Sequence, residues 1–313
     1  MPYRFADGEV PQGVRRRRSS TRRRLRLRSV AVLPTLFTLG NLLAGFLAIF
    51  FASRSPDARV LLGWTPLTLA ALFVFLGMVL DAMDGRIARL TGQSSSLGEQ
   101  LDSMADMVTF GVAPAFLAVQ LVGIRLPFFS EVGDRYFDRV VLVIAGIYVA
   151  CAALRLARYN IETKSNAPSD SLSFKGLPSP GAAGTVASFV LLHQHFLAHR
   201  HAEHWSIGAA ALGMVAISLL VAVAMVSRLR YPHVANRYLR GKAKFNSVVK
   251  VVIVAPFLLI WPQATAAVAF ATYALSAPTI WLWQGPMTRL RGSGGESYSG
   301  AESDGEQQTV NNK

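Results

Sequence analysis

Long apolar runs separated by short polar stretches make up most of this chain. Residues 60–80 (VLLGWTPLTLAALFVFLGMVL) carry no charge and are long enough to cross a bilayer as a helix. Similar runs begin near residues 30, 107, 138, 181, 206, 248 and 264. The pattern predicts an all-α fold, a polytopic integral membrane bundle of about eight transmembrane helices. Because some runs are short or contain polar residues, about six or seven spans are the alternatives.

The composition agrees with a membrane protein. Hydrophobic residues make up 52% of the 313 residues, charged residues only 16%, and the mean hydropathy is +0.35. Soluble domains carry more charge than this. The single cysteine, Cys151, excludes an internal disulfide and lies in an apolar run, as a buried spectator thiol would.

Basic residues cluster at the N-terminus. Residues 1–29 contain ten arginines against Asp7 and Glu9. Because an apolar span follows immediately, we interpret this segment as a disordered cytoplasmic arm that faces anionic headgroups, and we expect no nucleic-acid partner. Residues 30–285 are predicted to form the membrane domain. Residues 286–313, rich in Gly, Ser and Glu, are predicted to be a disordered cytoplasmic tail.

The distribution of basic loops predicts the orientation in the membrane. With the N-terminus inside and an even number of spans, both termini are cytoplasmic. The loop at 228–247, with four arginines, two lysines and no acidic residue, then falls on the same side. So do Arg155, Arg158 and the acidic stretch 81–106. We therefore expect a multi-pass protein of the cell inner membrane whose functional face is cytoplasmic.

The acidic stretch reads DAMDGRIARLTGQSSSLGEQLDSMAD. Nothing in its first ten residues breaks a helix, so the spacing places Asp81, Asp84, Gly85 and Ala88 on one helix face. Its second part restarts as a helix, because a serine and a glutamate three residues later form a capping box. On that helix the face consists of Gly98, Asp102 and Asp106.

Two helices joined by such a short connection are expected to be antiparallel neighbours whose acidic faces converge. Four converging carboxylates repel one another, and Arg86 and Arg89 supply at most two positive charges. Hard oxygen ligands favour Mg²⁺, Mn²⁺ or Ca²⁺, and Gly85 and Ala88 leave room for a diphosphate, with Arg89 as a further clamp. The alternative is a solvated helix end where the acids pair with the two arginines.

The complete pattern resembles the signature of the CDP-alcohol phosphotransferase family. It reads Asp81-x2-Asp84-Gly85-x2-Ala88-Arg89-x8-Gly98-x3-Asp102-x3-Asp106. The resemblance implies two divalent ions, Mg²⁺ or Mn²⁺, bound by the four aspartates, and a CDP-linked lipid whose diphosphate lies near Gly85, Ala88 and Arg89. It also implies that Asp106 is the general base for an acceptor alcohol and that CMP leaves. Asn41, a polar residue in the first span, is either a nucleotide contact or a helix–helix hydrogen bond.

Other segments favour one acceptor. Three segments resemble the membrane-type bacterial phosphatidylserine synthases of that family: residues 155–163 (RLARYNIET), 174–184 (FKGLPSPGAAG) and 34–52. In the last of these, Thr35 replaces an asparagine that is usual there. The resemblance implies a catalytic core of about six helices followed by a C-terminal hairpin. It also implies CDP-diacylglycerol and L-serine as substrates and a homodimer among membrane lipids. The predicted serine contacts are Arg155, Arg158, Tyr159, Asn160, Lys175 and Ser179.

Two other interpretations of the acidic stretch stay open at this stage. The same chemistry could use glycerol phosphate, an inositol phosphate or choline as the acceptor. A cation transporter could instead use the aspartates as an ion site, although such sites usually lie near the midplane, in discontinuous helices of repeats. His195 and His199, four residues apart, have the spacing of a metal pair, but an interfacial polar cluster is the default expectation.

Overall fold

The structure is a computed structural model that describes eight stretches of the chain. They are residues 16–55, 63–91, 96–123, 131–164, 173–199, 204–227, 229–232 and 260–292. The predicted apolar run near residue 248, most of the basic 228–247 loop and most of the C-terminal tail lie outside these residues.

The described chain is a helical bundle, which confirms the predicted all-α class. The α-helices are α1 (Arg16–Ala52), α2 (Pro66–Thr91), α3 (Ser96–Asp106), α4 (Ala113–Val122), α5 (Glu131–Lys164), α6 (Ser179–His199), α7 (His204–Val226) and α8 (Pro262–Gly292). A π-helical turn, Met107–Val112, joins α3 to α4. Two three-residue strands, β1 (Ser173–Lys175) and β2 (Arg230–Pro232), form one antiparallel pair in which Phe174 lies opposite Tyr231.

Within the described residues, five segments are long and apolar enough to cross a membrane. They are Pro34–Ala52, Pro66–Ala88, Leu97–Val122, Tyr136–Glu162 and Gly208–Val226. The protein is therefore a multi-pass membrane protein, while the predicted count of about eight spans is not confirmed. The third segment begins at Leu97 rather than near residue 107, because α3, the π-helical turn and α4 continue one another. Asp102 and Asp106 thus belong to this apolar segment rather than preceding it.

Helix α6 lies in the middle of the bundle and is enclosed by protein. It packs against α2, α4, α7 and α8. Its small side chains allow these neighbours to approach closely, as is usual where membrane helices pack together. The buried residues of its first three turns include Ala182, Ala183, Val186, Ala187 and Val190.

Close packing at small residues also joins the three helices that position the acidic stretch. Gly45 of α1 and Gly77 of α2 both face Thr109 in the π-helical turn, and a Cβ atom at either glycine would overlap the threonine side chain. Phe51 of α1 stacks on Phe73 of α2 with ring centroids 5.4 Å apart. These contacts fix α1 and α2 against the segment that follows the last aspartate.

The β1–β2 pair fixes the entry to α6. The Gly176 N–H donates to the Leu229 carbonyl oxygen at 2.8 Å, and the Leu177 N–H donates to the Ala224 carbonyl oxygen at 3.0 Å. Gly176 has a φ of +89°, a conformation that favours glycine. The turn leads directly into Pro178 and the first turn of α6, where prolines are well tolerated.

We expect Gly176→Ala to destabilise the protein more than Gly63→Ala. Both glycines have positive φ angles, +89° and +76°, which cost a non-glycine residue about 1–2 kcal/mol. A Cβ at residue 176 would in addition overlap the Met225 carbonyl oxygen, whereas nothing lies within 4 Å of one at residue 63. Thermal unfolding of the purified proteins in detergent measures the difference. Equal melting temperatures for the two variants would show that the contact with Met225 is unimportant.

Candidate active site

A cavity of about 920 Å³ opens between α2, α3, α5, α6 and α8. Its lining includes acidic side chains, one basic side chain and several hydroxyl groups. The acidic residues are Asp81, Asp102 and Asp106, and the basic and hydroxyl-bearing residues are Arg155, Tyr159, Ser179 and Tyr273. The volume is in the range of small-molecule and cofactor sites.

Three of the four predicted aspartates converge in this cavity. Asp81, Asp102 and Asp106 each offer a carboxylate oxygen, and these oxygens all lie within 4.8 Å of one another. The i, i+4 spacing on α3 and the approach of α2 bring them together, as the sequence predicted. Arg86 is exposed, and in the described part of the chain it forms no ion pair with the aspartates. The alternative of a helix end where the acids pair with both arginines is therefore not present at Arg86, and the side chain of Arg89 lies outside the described residues.

The donor set fits a divalent cation. Carboxylate oxygens are the ligands that Mg²⁺, Mn²⁺ and Ca²⁺ prefer, and three of them around one point suit such an ion. All three side chains are half-buried. Like charges this close in a partly desolvated site repel strongly unless a cation lies between them. The residues present are therefore suited to hold a metal.

Asp84 occupies a different position from the other three. Its carboxylate is buried, with 7% of the residue exposed, and it accepts a hydrogen bond from the Thr38 hydroxyl of α1. It is not part of the group of carboxylates within 4.8 Å. In this arrangement α1 holds the fourth aspartate to one side of the cluster.

Asn41 of α1 contacts the last aspartate of the motif. It is fully buried, and its Nδ2 donates to Asp106 Oδ1 at 3.0 Å. Thr109, one turn beyond Asp106, donates through its hydroxyl to the Asn41 carbonyl oxygen at 2.8 Å. One of the two alternatives for Asn41, the helix–helix hydrogen bond, is therefore present. Asn41 is not among the residues that line the cavity, and its predicted nucleotide contact stays a prediction.

The predicted diphosphate-binding residues all belong to α2. Gly85 lines the cavity, where its missing side chain leaves the backbone accessible. Ala88 lies one turn further along the helix and is half-buried. The side chain of Arg89 lies outside the described part of the chain.

The structure brings three of the six predicted acceptor residues to the cavity. Arg155, with 9% of its surface exposed, lines it together with Tyr159 and Ser179. Arg158 and Asn160 are not among its lining residues. The Arg158 Nε lies 2.9 Å from the Glu162 Oε1, and the Asn160 Nδ2 donates to the Ser103 hydroxyl at 3.0 Å.

Lys175, the sixth predicted acceptor residue, is described by its backbone alone. It is the last residue of β1, three residues before Pro178. Its side chain lies outside the described residues, so its predicted role as an acceptor contact stays a prediction.

Helix α8 supplies cavity residues that the sequence analysis did not identify. Ala269, Phe270 and Tyr273 line the cavity. In the sequence they belong to the apolar run AVAFATYALSA, where a tyrosine has no motif around it. Only the tertiary packing of α8 against α6 reveals their position.

The histidines lie at the far end of α6 from the cavity. His193 is buried and is 14 residues beyond Ser179, which corresponds to about 21 Å along an α-helix. The side chain of His199 lies outside the described residues. The spacing of His195 and His199 therefore has no demonstrated connection to the acidic cluster.

Comparison with known proteins identifies the family to which this site belongs. Residues 31–223 match the family model described as CDP-alcohol phosphatidyltransferase. This chain belongs to the CDP-alcohol phosphatidyltransferase family. It is therefore a membrane-bound transferase of phospholipid biosynthesis. The cavity's acidic wall lies within the matched residues, and α8 lies beyond them.

Several curated relatives of this chain have related names. A protein of Helicobacter pylori (strain ATCC 700392 / 26695), named CDP-diacylglycerol--serine O-phosphatidyltransferase, is 30% identical over 250 residues, covering 80% of this chain and 91% of the relative. A Bacillus subtilis (strain 168) protein of the same name is 33% identical over 201 residues, covering 64% and 90%. An archaetidylserine synthase of Methanothermobacter thermautotrophicus is 31% identical over 211 residues, covering 67% and 73%.

Proposed function

We propose that this enzyme transfers the phosphatidyl group of CDP-diacylglycerol to the hydroxyl of L-serine, giving phosphatidylserine and CMP. The proposal is supported above all by one cavity that is lined both by a carboxylate cluster suited to metal ions and by a buried arginine with several hydroxyls. The names of the bacterial relatives support the choice of acceptor.

The acidic wall would bind the metal ions and the diphosphate. Asp81, Asp102 and Asp106 would hold Mg²⁺ or Mn²⁺, and Asp84 would complete the set for two ions. The ions, when bound, supply positive charge that polarises the diphosphate and stabilises the leaving CMP. Gly85, Ala88 and Arg89, which follow on α2, would bind the diphosphate through the backbone and the guanidinium.

Asp106 would act as the general base. It would take the hydroxyl proton of serine while that oxygen attacks the phosphorus that carries diacylglycerol. A new oxygen–phosphorus bond forms to serine, and the bond from that phosphorus to the bridging oxygen of CMP breaks. The Asn41 amide, 3.0 Å from Asp106 Oδ1, would keep the carboxylate oriented and leave its second oxygen for the proton.

Arg155, Tyr159 and Ser179 would bind the serine. The Arg155 guanidinium is suited to a carboxylate, because its planar fork can donate two parallel hydrogen bonds. Tyr159 and Ser179 add hydroxyl groups to the lining of the same cavity. Arg158, Asn160 and Lys175 stay as predicted contributors, although Arg158 and Asn160 have the other partners described above.

The proposal also covers the membrane location, the orientation and the oligomeric state of the enzyme. We place it in the cell inner membrane as a homodimer, with both termini and the acidic cluster on the cytoplasmic side. The orientation is supported by the basic residues before the first span and in the 228–247 loop, and the homodimer is an expectation from the family resemblance alone. Residues 1–29 and 286–313 would be a cytoplasmic arm and tail outside the catalytic membrane domain, 30–285.

The test is an assay of the purified full-length protein in detergent with CDP-diacylglycerol and Mn²⁺ or Mg²⁺. L-Serine, glycerol phosphate, an inositol phosphate and choline are supplied one at a time, and released CMP is measured. We expect release with serine and phosphatidylserine as the product. Release of CMP with another alcohol but not with serine would overturn the assignment of the acceptor.

A further inference from the structure

We propose that Tyr273 of α8 is a specificity-determining residue that binds the carboxylate of the acceptor together with Arg155. This inference rests on the proposed function, since it takes an amino-acid alcohol as the acceptor. It adds to that function a residue from a helix that lies beyond residues 31–223, the part matched by the family model.

Helix α8 is attached to the bundle at several points near Tyr273. The Tyr231 hydroxyl donates to the Ala274 carbonyl oxygen at 3.0 Å, and the Tyr231 and Tyr273 rings lie 5.8 Å apart. Phe270, one turn before Tyr273, contacts Phe75 of α2 with ring centroids 5.6 Å apart. The part of α8 that lines the cavity is therefore held by contacts with Tyr231 and with Phe75.

Glycine at position 181 makes room for the Tyr273 ring. A Cβ atom there would lie 2.9 Å from Tyr273 Cε1, so the ring packs directly against the backbone of the first turn of α6. Ser179 lies on that turn and lines the same cavity. Tyr273 thus forms the cavity wall next to one of the predicted acceptor residues.

Tyr273 and Arg155 line the same cavity. Arg155 is the one basic side chain among the described residues that line the cavity, and it is buried. A carboxylate accepts about four hydrogen bonds, of which an arginine fork supplies two. A neutral tyrosine hydroxyl in the same cavity would supply a third donor without adding charge.

This pairing would discriminate among acceptors by charge. A cationic alcohol without a carboxylate would leave the guanidinium and the hydroxyl without an anion and would meet the positive charge of Arg155. Ethanolamine, which is serine without its carboxylate, is the matched probe. Sites built to hydrogen-bond a substrate group reject analogues that lack the group more strongly than apolar pockets can.

The experiment compares Tyr273→Phe with wild type in the full-length enzyme with Mn²⁺. We expect the variant to raise the KM for serine about 10- to 100-fold, the effect of one hydrogen bond to a charged group. The KM for CDP-diacylglycerol and the Ki of ethanolamine as a competitor of serine should change by less than about 2-fold, because neither ligand uses this hydrogen bond.

Tyr148→Phe is the matched control. Tyr148 is buried in α5, donates to the Phe110 carbonyl oxygen at 3.2 Å and does not line the cavity, so its variant should leave the KM for serine unchanged. If wild type turns over serine and Tyr273→Phe has an unchanged KM for serine, the proposed role of Tyr273 is wrong. The proposed function would be unaffected by that result. A rise of the serine KM and the ethanolamine Ki by the same factor would indicate a structural role and would also overturn it. A wild-type enzyme that releases no CMP with serine would overturn the proposed function and this inference together.

Discussion

Replacing Asp106 with asparagine is expected to lower the rate of CMP release by about 10²- to 10⁴-fold, the usual contribution of a positioned general base. Asparagine has nearly the same shape, and its side-chain oxygen can still accept the hydrogen bond from Asn41 Nδ2. What the variant loses is the ability to take a proton, together with one charged oxygen of the cluster. The measurement is kcat with CDP-diacylglycerol and serine at saturating Mn²⁺.

The control for this variant is Glu99→Gln on the same helix. Glu99 is exposed and does not line the cavity, so removal of its charge should leave kcat within about 2-fold of wild type. Asp106→Asn with wild-type turnover would show that this carboxylate is not the base. An equal loss in both variants would indicate a general effect of charge on α3 rather than a specific role.

Loss of the metal should have an effect as large as loss of the base. Chelation of divalent cations is expected to abolish CMP release, and added Mg²⁺ or Mn²⁺ should restore it, because the three carboxylates repel one another without a cation. Asp102→Ala should raise the Mn²⁺ concentration needed for half-maximal activity by at least about 10-fold and weaken Mn²⁺ binding in electron paramagnetic resonance titrations.

Asp138→Asn is the control for metal binding. Asp138 is an exposed carboxylate on α5 that does not line the cavity, so its variant should bind Mn²⁺ as wild type does. Full activity after exhaustive chelation would contradict a metal requirement. Unchanged Mn²⁺ affinity in Asp102→Ala would remove Asp102 from the ligand set.

The acidic cluster was predictable because its geometry is local. Helical spacing places Asp102 and Asp106 on one face, and the short link to the helix with Asp81 brings the two faces together. The start of the second helix was also predictable, since α3 begins at Ser96. Such features depend on neighbours only a few residues away in the sequence.

The remaining parts of the site depend on contacts between distant residues. Thr38 and Asp84 are 46 residues apart, and Asn41 and Asp106 are 65 apart, so no spacing rule predicts these hydrogen bonds. The π-helical turn after Asp106 has no sequence signature of its own. In the sequence, nothing distinguishes Tyr273 from other aromatic residues of apolar helices. Only the packing of α8 on α6 shows that it lines the cavity.

The central hypothesis is that α2 and α3 bring their carboxylates together around a divalent cation. Crystals of the full-length protein grown with Mn²⁺ test it through an anomalous difference map at the manganese absorption edge. We expect a peak bonded to oxygens of Asp81, Asp102 and Asp106. An active protein whose map has no peak between these side chains, or has its manganese bound elsewhere, would contradict the hypothesis.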